Sequence, residues 1–148
     1  MALVPNFEAT LVRNRSEPAK PRDGERFSVL VVEDDNDLLK LVGEIMRTAG
    51  FAMRFARSLA ELRKELANGT PPDLVLLDGQ LPDANGFEIL ESLRGSTRFG
   101  TIPVMMMSGR SQGHHVARAL TLGADGYITK PFRMSQLVNA ANAVLGRA

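Results

Sequence analysis

The clearest indication of the fold is the stretch VLLDGQLPDANG, residues 75–86. It begins with an apolar run that is typical of a strand buried on both faces of a sheet. Asp78 stands where this run ends, and glycine, proline and asparagine, which favour turns, follow at once. Because an isolated carboxylate is costly to bury, the stretch predicts a strand that carries Asp78 to the edge of a sheet, where other groups offset its charge.

Size and composition indicate one globular domain. The chain has 148 residues, of which 44% are hydrophobic and 24% charged, with a net charge of +1. This charge gives no electrostatic reason to expect nucleic-acid binding. The chain has no cysteine, which excludes disulfides and thiol chemistry. No apolar run approaches the roughly 18 residues of a membrane span, and the N-terminus lacks the pattern of a signal peptide, so a cytoplasmic location without membrane contact is expected.

The N-terminal residues differ from the rest of the chain. The segment RNRSEPAKPRDGER, residues 13–26, is polar, contains two prolines and a glycine, and shows no periodicity. Such a composition is typical of a linker or a tail. We therefore expect residues 1–26 to form a loosely ordered extension and residues 27–148 to form the domain.

From residue 27 onward, strand-like and helix-like patterns alternate five times. This alternation predicts a parallel sheet with helices on both faces. In such sheets, ligands bind beyond the carboxyl ends of the strands. The expected strands cover residues 27–32, 51–56, 73–78, 102–107 and 125–129, and the expected helices cover about residues 38–49, 58–66, 86–94, 111–122 and 133–146.

Polar residues stand at the carboxyl ends of four of these strands, so the fold should gather them at one edge. They are Glu33, Asp34 and Asp35 after the first strand, Asp78 after the third, Ser108 after the fourth, and Thr129 and Lys130 after the fifth. Clustered carboxylates repel one another, and Mg²⁺, which prefers oxygen ligands, offsets that repulsion. Without cysteine, and with neither histidine at a strand end, zinc is disfavoured. A carboxylate beside Mg²⁺ can act as a nucleophile toward a phosphoryl group, with lysine and hydroxyl groups binding its oxygens.

Four segments of the chain carry a family resemblance. VLVVEDD (29–35), DLVLLDGQLPDANGFEIL (73–90), IPVMMMSG (102–109) and GADGYITKPF (123–132) resemble the receiver domain of two-component response regulators. The resemblance covers about residues 27–147. It implies a flavodoxin-like (βα)5 three-layer α/β sandwich whose parallel strands have the order 2-1-3-4-5.

The resemblance also implies roles for the polar residues. Asp78 would accept a phosphoryl group from a phosphohistidine of a sensor kinase or phosphotransfer protein. Glu33 and Asp34 would bind Mg²⁺ or Mn²⁺ together with Asp78 and the backbone carbonyl of Gln80. Lys130 would bind the phosphoryl group, and the bond to the proline that follows it is expected to be cis. The domain would catalyse only its own phosphorylation and dephosphorylation.

Further implied roles concern the response to phosphorylation. Ser108 would be the switch hydroxyl and Tyr127 the switch aromatic, moving inward when Asp78 is phosphorylated. Gln80 and Arg110 border the path of a hydrolytic water and would tune dephosphorylation. The face formed by the fourth helix, fifth strand and fifth helix would then change and act on a separate output partner, and it permits a homodimer. Whether the receiver stands alone or belongs to a longer protein is left open.

Other interpretations of these residues remain. Asp78 alone suits a turn or helix cap, the acids after the first strand suit a helix N-terminus, and Tyr127 suits a core position. A constitutive interaction module is a second functional class. An aspartate-nucleophile phosphatase is a third, but these enzymes usually place an aspartate where Gln80 stands. A flavin carrier shares the fold class, although an acidic edge would repel flavin phosphate.

Overall fold

The computed structural model describes residues 2–4, 10–13, 17–109 and 113–147. Strands and helices alternate along it as the sequence predicts, with additional short strands near the N-terminus and after Asp78. The elements are β1 (Ala2–Val4), β2 (Thr10–Val12), β3 (Ser28–Val32), α1 (Asn36–Thr48), β4 (Ala52–Ala56), α2 (Leu59–Ala67), β5 (Leu74–Asp78), β6 (Gln80–Leu81), β7 (Ala84–Asn85), α3 (Gly86–Arg94), β8 (Val104–Ser108), α4 (Gly113–Thr121), β9 (Gly126–Thr129) and α5 (Met134–Val144).

The main sheet contains the predicted parallel arrangement. Its strand order is β1-β2-β9-β8-β5-β3-β4. The five neighbouring strands β9, β8, β5, β3 and β4 are parallel to one another. Numbered within the βα repeat, these five strands have the order 2-1-3-4-5, so the flavodoxin-like prediction is confirmed. The register pairs Val32 with Leu77, Asp78 with Met107, and Ser108 with Thr129, so the strands end together at one edge.

Helices cover both faces of the sheet and form two separate apolar layers. Successive residues of β3 point to opposite faces, so Val29 and Val31 pack with α1 and α5 in one layer, while Leu30 and Val32 pack with α2, α3 and α4 in the other. All five residues of β5 are buried. The central strands are therefore mainly apolar up to the polar residues at their carboxyl ends, because both of their faces lie inside the protein. Within the described residues, no helix is long and apolar enough to cross a membrane.

Side chains and glycines at the predicted boundaries set the limits of the helices. The Asp35 carboxylate caps α1 by accepting hydrogen bonds from the N–H groups of Asp37 and Leu38, at 3.0 and 3.2 Å. Asn85 caps α3 by accepting one from the N–H of Phe87 at 2.8 Å. Gly50, with a φ of 96°, follows α1 where the sequence predicts its end.

The N-terminal extension differs from the loosely ordered segment expected from the sequence. Strands β1 and β2 pair with each other, and β2 pairs antiparallel with β9. Further along, the N–H of Ala19 donates to the carbonyl of Leu145 at 2.9 Å, and the N–H of Arg22 donates to Asp73 Oδ1 at 3.0 Å. Residues 10–13 and 17–22 thus hydrogen-bond to the domain. The division of the chain at residue 26 stays a prediction.

Gly86 fixes the turn that follows Asp78. Its N–H donates to the carbonyl of Gly79 at 2.9 Å. A Cβ at position 86 would lie 2.5 Å from the Asp78 carbonyl oxygen and 2.8 Å from Gly79 Cα, both of which are backbone atoms. Only a residue without a side chain lets α3 begin this close to the end of β5.

We expect Gly86→Ala to lower the free energy of unfolding by about 1–3 kcal/mol, because the added methyl group forces backbone atoms apart. Chemical denaturation measures the change. Gly113→Ala is the matched control, since a Cβ there meets nothing within 4 Å, and it should change stability by no more than about 1 kcal/mol. Equal stability of Gly86→Ala and the unmodified protein would show that the turn relaxes freely.

Candidate functional site

The carboxyl edge of the parallel sheet forms an open cleft of about 730 Å³. It collects residues from four strand ends, which are far apart in sequence, and from β6 and the residue that follows it. Six of the polar residues that the sequence places at strand ends line it, together with Gln80. The lining residues are Glu33, Asp34, Asp35, Asp78, Gln80, Leu81, Pro82, Ser108, Gly109 and Lys130.

Three carboxylates meet in this cleft. Glu33 and Asp34 follow β3, Asp78 ends the adjacent β5, and one oxygen of each lies within 4.8 Å of the others. Glu33 and Asp78 are buried, with exposed fractions of 1% and 6%, whereas Asp34 is exposed. Buried carboxylates this close repel each other, so the arrangement requires positive charge nearby. Asp35, the next acid in the chain, instead caps α1.

Lys130 supplies positive charge to two of the three carboxylates. Its ammonium group donates a short hydrogen bond to Glu33 Oε1 and lies 3.3 Å from Asp78 Oδ1. The backbone holds the residue in place, because its N–H donates to the Ser108 carbonyl at 2.7 Å. The Lys130–Pro131 bond is cis, as the family resemblance implies.

The pKa values of the paired groups reflect this geometry. Burial raises the pKa of Glu33 above its usual value, and the neighbouring Asp78 raises it further, while Lys130 acts to lower it. Burial acts to lower the pKa of Lys130, but its hydrogen bonds and charge interactions with Glu33 and Asp78 outweigh burial and raise it. Lys130 therefore keeps its charge beside Glu33 and Asp78.

The residue after Asp78 leaves space for the Ser108 hydroxyl. A Cβ on Gly79 would lie 3.0 Å from Ser108 Oγ, so this hydroxyl borders the backbone next to Asp78. The N–H of Gly79 donates to the Met107 carbonyl at 2.8 Å, and that of Gln80 donates to Asp78 Oδ1 at 3.2 Å. This role of Gly79 was not predicted from the sequence, although a glycine directly after the acid was an available signal.

The donor set fits a hard divalent cation. Carboxylate oxygens are the ligands that Mg²⁺ and Mn²⁺ prefer, and Glu33, Asp34 and Asp78 together offer them within the span of a single ion. Lys130 leaves net negative charge in the cleft, which favours a further cation. Exposure of Asp34 leaves one side open to water, as suits an ion that keeps several waters.

The predicted switch aromatic lies outside this cluster. Tyr127, on β9, is fully buried in the layer formed with α3 and α4, with no exposed surface. The hypothesis that Tyr127 moves inward when Asp78 is phosphorylated stays a prediction. Arg110, predicted to tune dephosphorylation, lies outside the described residues.

Fold and cleft together define a flavodoxin-like α/β domain with a carboxylate–lysine site at the carboxyl edge of its sheet. A family model for the response regulator receiver domain matches residues 29–142. The chain therefore belongs to the receiver domains of two-component response regulators, which are signalling switches.

Curated relatives support this assignment. The chain is 35% identical over 119 residues to the phosphate regulon transcriptional regulatory protein PhoB of Escherichia coli (strain K12). It is 34% identical over 119 residues to the transcriptional regulatory protein KdpE of Mycobacterium tuberculosis (strain CDC 1551 / Oshkosh). Each alignment covers 80% of this chain but 52% of PhoB and 51% of KdpE. The chain thus spans about half the length of these relatives.

Solved structures show the same fold. A CheY-like receiver domain protein from Methanospirillum hungatei JF-1 superposes with a TM-score of 0.74 and 26% identity, covering 82% of this chain and 95% of that chain. The receiver domain of Francisella response regulator 1452 superposes with a TM-score of 0.74 and 25% identity, covering 82% and 98%. The similarity covers nearly the whole of each receiver domain.

Addition of Mg²⁺ should raise the midpoint of thermal unfolding, because an ion that binds only the folded cleft stabilises it. At ten times its Kd, the ion contributes about 1.4 kcal/mol, which corresponds to about 3–6 °C for a domain of this size. Asp34→Asn should abolish the shift. Asp35→Asn removes the same charge but keeps an oxygen for the α1 cap, so it should retain the shift. Equal shifts in both variants would place the ion elsewhere.

Proposed function

We propose that this receiver domain is a phosphorylation-dependent switch that accepts a phosphoryl group on Asp78 from a phosphohistidine of a sensor kinase or a phosphotransfer protein. The observation that carries this proposal is the position of the Lys130 ammonium, which lies 3.3 Å from Asp78 Oδ1 within a cluster of three carboxylates. A fixed cation beside an acid at an open cleft is what transfer of a charged phosphoryl group requires.

In the proposed reaction, a carboxylate oxygen of Asp78 attacks phosphorus. An O–P bond forms as the N–P bond to the donor histidine breaks, and the bonding electron pair returns to the imidazole nitrogen. Lys130 binds a phosphoryl oxygen and offsets its negative charge. Held by Glu33, Asp34, Asp78 and the Gln80 carbonyl, Mg²⁺ or Mn²⁺ would supply additional positive charge beside the phosphoryl oxygens. The domain acts on no other substrate, so it is a switch and not an enzyme with turnover.

The signal would leave the site through β8 and β9. The Ser108 hydroxyl would bind a phosphoryl oxygen, and Ser108 pairs with Thr129 on β9, two residues beyond Tyr127. Because the Tyr127 ring is already buried in this structure, phosphorylation would stabilise that position against a more exposed one. A ligand acts on such an equilibrium only through its different affinity for the two states.

Partners follow from the same scheme. A histidine-containing phosphodonor would approach the open cleft, and an output protein would bind the face formed by α4, β9 and α5. That face also permits a homodimer. Direct binding to nucleic acid is not part of the proposal, because the net charge of +1 gives no electrostatic drive for it. A cytoplasmic location is consistent with such partners.

Incubation with acetyl phosphate and Mg²⁺ should add the mass of one phosphoryl group to the intact protein. Asp78→Asn should abolish the adduct, because the amide lacks the nucleophilic carboxylate. Asp37→Asn, which removes an exposed acid in the first turn of α1, is the control and should retain the adduct. Intact-protein mass spectrometry with and without Mg²⁺ measures all of these outcomes. An adduct that persists in Asp78→Asn would refute the assignment of the acceptor.

Tyrosine fluorescence tests the switch separately. The chain has one tyrosine and no tryptophan, so the emission reports on Tyr127 alone. We expect phosphorylation to reduce quenching by acrylamide, since the buried position of the ring gains population. Ser108→Ala should accept the phosphoryl group yet lose this response, because it lacks the hydroxyl that links the phosphoryl group to β9. An unchanged response in Ser108→Ala would remove Ser108 from the switch.

A further inference from the structure

Residues 10–13 lie along the outer edge of β9, the strand that carries Tyr127. In the βα repeat alone, β9 would be an edge strand, with its outer N–H and C=O groups open to another chain. Here β2 pairs with it, and the N–H of Arg13 extends the contact by donating to the Asp125 carbonyl at 2.7 Å. The register partners are Thr10 with Ile128, Leu11 with Tyr127, and Val12 with Gly126.

Two of these residues also contact the helices on either side of β9. Val12 is 5% exposed and belongs to the apolar layer that contains Ile128 and the buried face of α5. On the other side, the Arg13 guanidinium donates to the Leu120 carbonyl of α4 at 3.1 Å. The segment therefore contacts α4 and α5 as well as the edge of β9.

We propose that residues 10–13 form an autoinhibitory strand that occupies the α4–β9–α5 face and thereby excludes a second copy of this chain from it. The inference rests on the proposed function in one respect, namely that the α4–β9–α5 face binds an output partner. Whether the chain's own strand occupies the edge of β9 and prevents dimerisation can be measured without phosphorylation.

The geometry of the β9 edge explains why the excluded partner is a second copy. This edge accepts an antiparallel strand, as its pairing with β2 shows. Two copies related by a two-fold axis would place β9 against the partner's β9 in the same antiparallel sense, and both subunits would use the same surface. The β2 strand occupies the hydrogen-bonding groups that such a dimer needs.

The tether that follows the strand favours internal pairing without making it permanent. Residues 17–22 are fixed to the domain by the hydrogen bonds of Ala19 to Leu145 and of Arg22 to Asp73. A short tether gives a strand an effective concentration in the millimolar range at its site. However, β2 has only three residues, so the internal strand can be displaced.

Sedimentation of the full chain and its Leu11→Pro variant tests the proposal. Proline removes a backbone N–H and disfavours a paired strand, so Leu11→Pro should dimerise with a Kd at least ten times lower than that of the unmodified protein. Leu11→Ala shortens the side chain but keeps the N–H, and it should behave like the unmodified protein. Deletion of residues 1–13 should reproduce the effect of Leu11→Pro.

Hydrogen exchange at Gly126–Thr129, measured at concentrations where all variants are monomeric, shows whether the edge is free. Exchange should be faster in Leu11→Pro and in the deletion variant than in the full chain. Either of two results overturns the proposal: unchanged exchange in both variants, or faster exchange without stronger dimerisation. The acetyl phosphate adduct of Leu11→Pro is measured in parallel, since its absence would count against the proposed function and not against the strand.

Discussion

The close approach of three carboxylates at one sheet edge is the constraint on which the rest of the site depends. Parallel strands in register bring the residues after β3 and β5 within a few ångströms of each other, and acids at both positions repel. Lys130 relieves this repulsion from the far side of the cleft. Because it follows β9 while Glu33 follows β3, their hydrogen bond spans the strands β8 and β5 that lie between them in the sheet. The ion pair therefore forms only when the whole parallel sheet is assembled.

Small residues make this crowded edge possible. A side chain at position 79 would meet Ser108 Oγ, and one at position 86 would meet the Asp78 carbonyl. Both glycines lie in the chain segment that leaves the acid, so the backbone turns away from the cleft without filling it. The cleft beside Asp78 thus stays open because Gly79 and Gly86 have no side chains to fill it. The charged groups around the cleft are not the only cause of its shape.

The sequence predicted the elements whose signal is apolar periodicity. All five parallel strands and the gathering of Glu33, Asp78 and Lys130 at one edge follow from runs of buried residues that end in polar ones. The order of the strands was implied only by the resemblance to receiver domains. It could not decide which acid after β3 caps the helix, because Asp34 and Asp35 are chemically alike, and only the path of the backbone gives the cap to Asp35. It also missed β2. Three residues that pair through backbone groups at a sheet edge leave almost no pattern in side-chain types.

The environment of β9 connects the chemistry of the cleft with the N-terminal segment. One edge of β9 pairs with β8, which carries Ser108, and the other pairs with β2. A strand that is hydrogen-bonded on both edges and buried on both faces has little freedom to move by itself, because each shift breaks backbone hydrogen bonds that the interior cannot replace. Any movement of the β9 backbone that follows a change at Asp78 must therefore be shared with β2 or must release it. In the proposed switch, the N-terminal residues that form β2 would therefore move together with β9 or separate from it.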